Sequence, residues 1–400
     1  LSQHADAVAR SILEEAGKPI SGARKEVHAA VERLRLTREE ARVLYGEYIP
    51  GEWVEDTQGK CAIVLRNPLG VVGTLSPFNY PLFIAAAKMI PALLAGNAMV
   101  AKPASDTPII LLLFARILEE AGLPAGRLQV LTGKGSVIGT AMAQNPQVAA
   151  ISFTGSTAAG QSLAAEAGMK KLHLELGGKA AAIVLADADI RTAAAEVCKG
   201  TFKNAGQRCD AISRVLVHES IHAAFIEAVM EEIEAYKPGR PEEEETKVGP
   251  LINEKARQKV DRLVTGAVDA GAQTVAGAIY ENLFYAPTVL DQVTPEMDIA
   301  REEIFGPVMP ILTYETIDEA VAISNASDYG LDSCIFTENL STALTVARSL
   351  QDGTVTINAA PAHGVGHFPF GGNKKSGMGR EGLKYSIDEL TRLHTIVMSI

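Results

Sequence analysis

Val71–Gly122 reads VVGTLSPFNYPLFIAAAKMIPALLAGNAMVAKPASDTPIILLLFARILEEAG. An apolar strand runs into a Ser-Pro turn, and the helix PLFIAAAKMIPALLAG closes at Gly96. The strand AMVAKP stops at Pro103, and Asp106 or Thr107 is placed to cap the helix that follows. RLQVLTG then reads as a strand, SVIGTAMAQ as a helix and VAAISFTG as a strand. Strand–helix–strand repetition at this spacing demands right-handed crossovers and a parallel, doubly wound sheet. The pattern restarts at KLHLELGGKAAAIVL, with a helix near Ile190–Asn204, a strand at Ser213–Val217 and a helix at Ser220–Tyr236. Two α/β units in series predict two domains with a cleft between them.

Two segments depart from this alternation. Tyr48–Gly70 carries strand-like runs with polar punctuation, and the tail HTIVMSI is a single apolar strand. Both read either as cover for a sheet edge or as material for pairing subunits by sheet extension. The run Pro241–Thr246, PEEEET, reads as a solvated loop. The chain begins without Met, inside a helical pattern of Ala5, Val8, Ala9, Ile12 and Leu13, so a missing N-terminal piece is expected.

With 400 residues, 47% hydrophobic and 21% charged, the chain has ordinary globular composition. A net charge of −11 argues against nucleic acid or an anionic membrane as partner, and leaves room for an anionic small substrate in a locally basic pocket. No apolar run reaches the ~18 residues of a membrane span. Cys61, Cys198, Cys209 and Cys334 form no C-x-x-C, which excludes a disulfide scaffold or zinc ribbon and suits a reducing cytosol. His363 and His367 lack a third ligand, so no metal is expected.

Cys209 follows Lys203-Asn204-Ala205-Gly206-Gln207-Arg208, a helix end broken by glycine. Taken singly it is either a nucleophile, with Arg208 favouring thiolate and backbone N–H groups offering an oxyanion hole, or an inert buried thiol. Cys61, Cys198 and Cys334 sit in apolar or helical patterns and read as inert. Glu175 ends a strand before Gly177-Gly178, where a carboxylate activates water or merely pairs with a cation. Phe153-Thr154-Gly155-Ser156-Thr157 leads from a strand into a helix N-terminus, the geometry that receives phosphate, without the G-x-G-x-x-G pattern. Lys102 and Ser105 end the neighbouring strand and suit a ribose or phosphate, or the open surface. Asn79, in Ser76-Pro77-Phe78-Asn79-Tyr80-Pro81, is an oxyanion donor or an ordinary turn residue.

Together these motifs resemble the aldehyde dehydrogenase superfamily across essentially the whole chain. The resemblance rests on PFNYP at 77–81, KP at 102–103, FTGST at 153–157, ELGGK at 175–179, GQRC at 206–209, EEIFGPV at 302–308 and PFGGNKKSGMGREG at 369–382. It implies an α/β chain with a modified Rossmann cofactor domain, an α/β catalytic domain and a small β oligomerisation excursion. The corresponding divisions are 1–48 with 71–176, then 177–373, then 49–70 with 386–400. It implies Cys209 as nucleophile, Glu175 as general base, and the Asn79 amide with the Cys209 backbone N–H as oxyanion hole. For NAD or NADP it implies Lys102 and Ser105 at the adenosine ribose, Gly155 and Ser156 at the pyrophosphate, and Glu303 and Phe305 at the nicotinamide end. Ser76 and Phe78 are assigned to the cofactor side as well.

Family members that transfer the acyl group to coenzyme A generally lack the glutamate at 175, so the resemblance implies a free acid product. A coenzyme A-acylating enzyme and a catalytically silent member are the alternatives. Arg208, Tyr80 and His363 are the expected substrate residues, for a short hydroxylated or anionic aldehyde. Tyr80 and Arg208 match phosphate-contacting positions of non-phosphorylating glyceraldehyde-3-phosphate dehydrogenases. Two other basic positions of that subgroup do not match: His28 or Ala29 stands at one and His363 at the other. Lactaldehyde and phosphonate-aldehyde dehydrogenases are resembled equally. Asp210 stands where Ser or Thr is usual, and would raise the thiol pKa unless Arg208 pairs with it. A cytoplasmic homodimer or homotetramer is expected.

Overall fold

The computed structural model describes residues 1–399. The strand Val71–Leu75 lies near the middle of a six-stranded sheet with the order Gly377–Met378, Lys171–Glu175, Val148–Thr154, Val71–Leu75, Ala98–Lys102, Leu128–Val130. Every neighbouring pair is parallel except the first. Alternation along the strands sends side chains to two different cores. Val72, Met99 and Ala150 pack with the helices Ala5–Ala16, Ile20–Glu39, Phe83–Leu94 and Pro108–Glu120. Leu75, Ile151 and Phe153 face the opposite side, under Gly135–Gln144 and Thr157–Glu166. The sheet is therefore covered on both faces, as parallel sheets require.

A second, seven-stranded sheet has the order Gln273–Ala276, Thr288–Asp291, Val308–Tyr314, Ile212–His218, Ala180–Val184, Asp332–Phe336, Thr354–Ile357. Only its outermost pair, Gln273–Ala276 with Thr288–Asp291, is antiparallel. Its central strands are buried along their whole length, which accounts for the unbroken apolar run at Ala180–Val184. The two sheets are joined by Leu176–Lys179, with Lys171–Glu175 ending in one and Ala180–Val184 beginning in the other.

The two departing segments meet in one antiparallel sheet. Lys60–Pro68 pairs with Glu47–Pro50 on one side and with Thr391–Ser399 on the other, from Lys60 opposite Ser399 to Pro68 opposite Thr391. Its last strand begins before the predicted HTIVMSI, directly after the helix Leu383–Glu389. Other predicted elements form with ends displaced by a few residues: the helix expected over Ser220–Tyr236 spans His222–Ile233. No helix among the described residues is long and apolar enough to cross a membrane.

One predicted cap is replaced. Thr107 occupies the N-cap position of Pro108–Glu120, but its buried hydroxyl makes no bond to the helix. Asp106 turns away and accepts from the Asn253 side-chain amide at 3.3 Å. The Glu15 carboxylate, arriving from Ala5–Ala16, accepts from Ile109 N at 2.7 Å and Ile110 N at 2.8 Å. A charge there also complements the helix dipole. Local sequence rules do not see a cap supplied by a distant helix. Glu15→Ala is expected to destabilise the fold by about 1 kcal/mol in urea denaturation, as loss of a cap does.

Candidate active site

The helix Ile190–Phe202 ends at a backbone that no ordinary helix terminus requires. Asn204 (φ 56), Ala205 (φ 53) and Gly206 (φ 69) are successively left-handed, a conformation that is uphill for Ala. At Gly206 there is also no space: a Cβ would stand 2.1 Å from Gly306 O. The Gln207 side chain then pins the loop, donating to Pro250 O at 3.3 Å and accepting from Ile252 N at 2.8 Å. Cys209 follows, half-buried, with its carbonyl oxygen 2.2 Å from where a Cβ on Gly178 would stand. The glycine pair after Glu175 is thus what admits the cysteine loop to the end of the other sheet.

Asn79 reaches this loop from the first sheet. Its Nδ2 donates to Gln207 O at 2.9 Å, and its Oδ1 accepts from Tyr80 N at 3.1 Å. One amide N–H is committed, and the second has no partner among the described residues. The PFNYP turn is itself held from below. Glu26 accepts from Leu82 N at 2.9 Å and Phe83 N at 3.1 Å, and it pairs with Lys18, whose ammonium lies 3.6 Å over the Tyr80 ring.

Glu175 ends its strand 2% exposed, with Oε1 3.2 Å from His173 Nε2 and Oε2 without a partner. Burial, and then the Glu381 carboxylate, hold its carboxyl well above the ordinary range, against Lys88 and Arg380.

Arg208 takes the pairing with Asp210 that the sequence left open. Its guanidinium makes two 2.9 Å contacts to Asp210, one to each oxygen, and a longer one to Pro361 O. The pairing does not rescue the thiolate. Burial pushes the Cys209 thiol well up, Asp210, Asp332 and Glu175 push it further, and Arg208 only partly opposes them. His363 stands between two of these acids, with Nε2 3.2 Å from Asp332 and 3.8 Å from Asp210. Burial alone would lower its pKa, but the two carboxylates outweigh burial and the net direction is up. Burial pushes the Tyr80 phenol up, so it stays a neutral donor.

The expected cofactor residues gather at the carboxyl ends of the first sheet, joined by residues of the second. Lys102 is buried there, with Nζ 3.7 Å from the position of a Cβ on Gly135, and Ser105 Oγ donates to Gly133 O at 3.3 Å. Gly155 N donates to Glu175 O at 3.1 Å, and Ser156 caps the helix Thr157–Glu166. Ser76 N donates to Lys102 O at 3.1 Å. From the other sheet, Glu303 accepts from Gly178 N at 3.1 Å, and the Phe305 ring meets Phe78 edge-on at 5.9 Å.

The chain matches the aldehyde dehydrogenase family model over residues 1–396. This protein belongs to the aldehyde dehydrogenase family. It is 41% identical over 392 residues to a 3-sulfolactaldehyde dehydrogenase of Priestia aryabhattai, covering 98% of this chain and 82% of that one. It is 37% identical over 402 residues to a lactaldehyde dehydrogenase of Methanococcus maripaludis, covering 100% and 85%. A crystal structure of the NADP-dependent glyceraldehyde-3-phosphate dehydrogenase from Bacillus halodurans, complexed with NADP, superposes with a TM-score of 0.97 at 40% identity, covering 99% of this chain and 83% of that one.

Several residues of this family member's site escaped the sequence reading. Gln207 and Glu26 act through backbone partners distant in sequence, which no local pattern marks. Asp332 had a visible signal, an acid inside the apolar run LDSCIF, and it is buried with His363 Nε2 3.2 Å away. His173 had one too, as it shares a strand face with Glu175. The thiol's environment sets a pH dependence. Iodoacetamide alkylation of Cys209 is expected to keep accelerating above about pH 10, where an ordinary thiol near 8.5 has levelled. Asp210→Asn, which removes one carboxylate and releases Arg208, is expected to move the midpoint down.

Proposed function

We propose that this chain oxidises a short, uncharged hydroxyaldehyde to the free carboxylic acid, with NAD or NADP as the oxidant. The observation that carries the chemistry is the hydrogen-bonded unit of Asn79 and the Cys209 loop, beside the buried carboxylate of Glu175. In this reading Cys209 Sγ gives its proton to solvent water and, as thiolate, attacks the aldehyde carbon. The resulting alkoxide is held by the free N–H of Asn79 and by the Cys209 backbone N–H. A dinucleotide held by Lys102, Ser105, Gly155, Ser156, Glu303 and Phe305 would supply the hydride acceptor for that carbon. The acyl group remains on Cys209 Sγ as a thioester. Glu175 then takes a proton from water, the hydroxide oxygen attacks the thioester carbon, and the sulfur leaves.

The residues present suit the dinucleotide. A buried ammonium at Lys102, the small residues Gly133 and Gly135 and the helix N-terminus at Ser156 offer cation, space and N–H donors for ribose and phosphate. In this reading Lys102 and Ser105 hold the adenosine ribose, Gly155 and Ser156 the pyrophosphate, and Glu303 and Phe305 the nicotinamide end. Ser76 and Phe78 line the same side. Ser105 is small and neutral, which leaves room for the 2′-phosphate of NADP. The division into a cofactor domain (1–48, 71–176), a catalytic domain (177–373) and oligomerisation segments (49–70, 386–400) belongs to the same proposal. So do a cytoplasmic location and assembly into a homodimer or homotetramer, the assembly supported by the exposed Tyr48, Leu393 and Val397 of the three-stranded sheet and Trp53 in the turn beside it.

The uncharged substrate follows from Arg208. Its guanidinium is neutralised by both oxygens of Asp210, so an anionic aldehyde finds no free cation there. Asp210→Asn is therefore expected to raise kcat/KM for a phosphorylated or sulfonated aldehyde by about tenfold relative to a neutral one of the same length, since a charge-assisted bond is recovered. An unchanged ratio would remove Arg208 from substrate choice.

The chemistry is tested with a panel of short aldehydes, with and without coenzyme A. Cys209→Ala is expected to form no NAD(P)H. Glu175→Gln is expected to give one rapid burst of NAD(P)H and then at least about a hundredfold slower turnover, within the range of general-base loss. Rescue of that variant by coenzyme A alone would point to acyl transfer, and full turnover in water would discard Glu175 as base.

A further inference from the structure

On the strand Lys171–Glu175, alternate residues share a face, so His173 and Glu175 project together. His173 Nε2 lies 3.2 Å from Glu175 Oε1, and its Nδ1 lies 3.1 Å from Ser152 Oγ. Ser152 is the register partner of His173 on the adjoining strand Val148–Thr154. All three side chains are buried. The loop at Gly379 closes over the imidazole so tightly that a Cβ there would stand 2.8 Å from His173 Cδ2. With the carboxylate ionised, a single neutral tautomer satisfies both contacts. Nε2–H donates to Glu175, and Nδ1 accepts from the Ser152 hydroxyl.

The geometry points to His173 as a positioning residue that holds one oxygen of Glu175 by a fixed N–H and leaves the other for the water that attacks the thioester. This rests on the reading of Glu175 as general base. Oε2 is buried and unbonded, as an oxygen reserved for a substrate water would be. A donor to a carboxylate favours its ionised form, and here it opposes burial and the charges of Glu381 and Asp332. Lys88 and Arg380 act in the same sense as His173 on the carboxylate. Burial, with Lys88, Lys171 and Arg380, keeps the imidazole itself neutral. Lys171 is in turn paired with Glu389 at 3.3 Å. A neutral donor steadies the base without adding a second buried charge, whose desolvation would be costly.

The test compares the pre-steady-state NAD(P)H burst with the pH profile of steady-state turnover in the full chain. His173→Leu is expected to keep the burst within about twofold. Its thioester-hydrolysis limb should move alkaline by about one pH unit, so turnover near neutral pH falls about tenfold. His173→Gln, which keeps a donor, should recover most of the loss. Ser152→Ala, which releases the tautomer, should shift the limb the same way by a smaller amount, and it decides the matter if His173→Leu fails to fold. An unmoved limb in the folded variants would overturn the role of His173. Undiminished turnover in Glu175→Gln would overturn the base assignment beneath it, and the two failures are read from different variants.

Discussion

The site depends on a close approach of backbone to backbone at Leu176–Lys179. Gly177 lies where a Cβ would meet Glu303 Oε1 at 2.7 Å, and Gly178 where one would meet Cys209 O at 2.2 Å. The same segment is pinned by Leu176 N donating to Ser376 O at 2.9 Å and by Lys179 Nζ donating to Ile299 O at 2.6 Å. Side chains at the two glycines would drive the sheets apart. Without them, the carboxyl end of one parallel sheet and the amino end of the next close on the cysteine loop. That crossing sets where Glu175, Glu303 and Cys209 stand relative to one another.

Around this crossing, buried charges are used for position more than for stability. Lys18 with Glu26, and Arg208 with Asp210, are ion pairs with little exposure on either side. Such pairs gain little net free energy after desolvation, but losing one partner is severe, because the other is left charged and buried. Glu26 translates its pair into the placement of the PFNYP turn, and Asp210 translates its pair into a neutralised wall beside the nucleophile. Burial, and after it the same concentration of carboxylates, holds the Cys209 thiol well above its ordinary range. In the proposed mechanism this thiol has to be deprotonated in the course of attack, and the Glu175 carboxyl proposed as base is also raised by burial. The hydrogen bonds that lower the cost of ionisation, such as the one from His173 to Glu175, matter correspondingly more.

Much of this was legible in the chain itself. Apolar runs bounded by Gly and Pro carry their own periodicity, so the strand at Val71–Leu75, the helix after it and the parallel crossover follow from local physics. The motifs around Asn79, Glu175 and Cys209 were visible because each combines a reactive side chain with a backbone signal, a turn or a glycine, that has a purpose there. What the tertiary structure alone decided are the pairings across long separations. Glu15 caps a helix in place of Thr107, Glu26 seats a turn from another helix, and the tail strand joins the Tyr48–Gly70 excursion. The sequence left Arg208 either paired with Asp210 or free for a substrate anion, and only the folded loop shows the pair formed. Secondary structure answers to neighbours a few residues away, which the sequence states directly. A buried charge answers to whatever the fold brings within hydrogen-bond reach, and that is settled only when the sheets have closed.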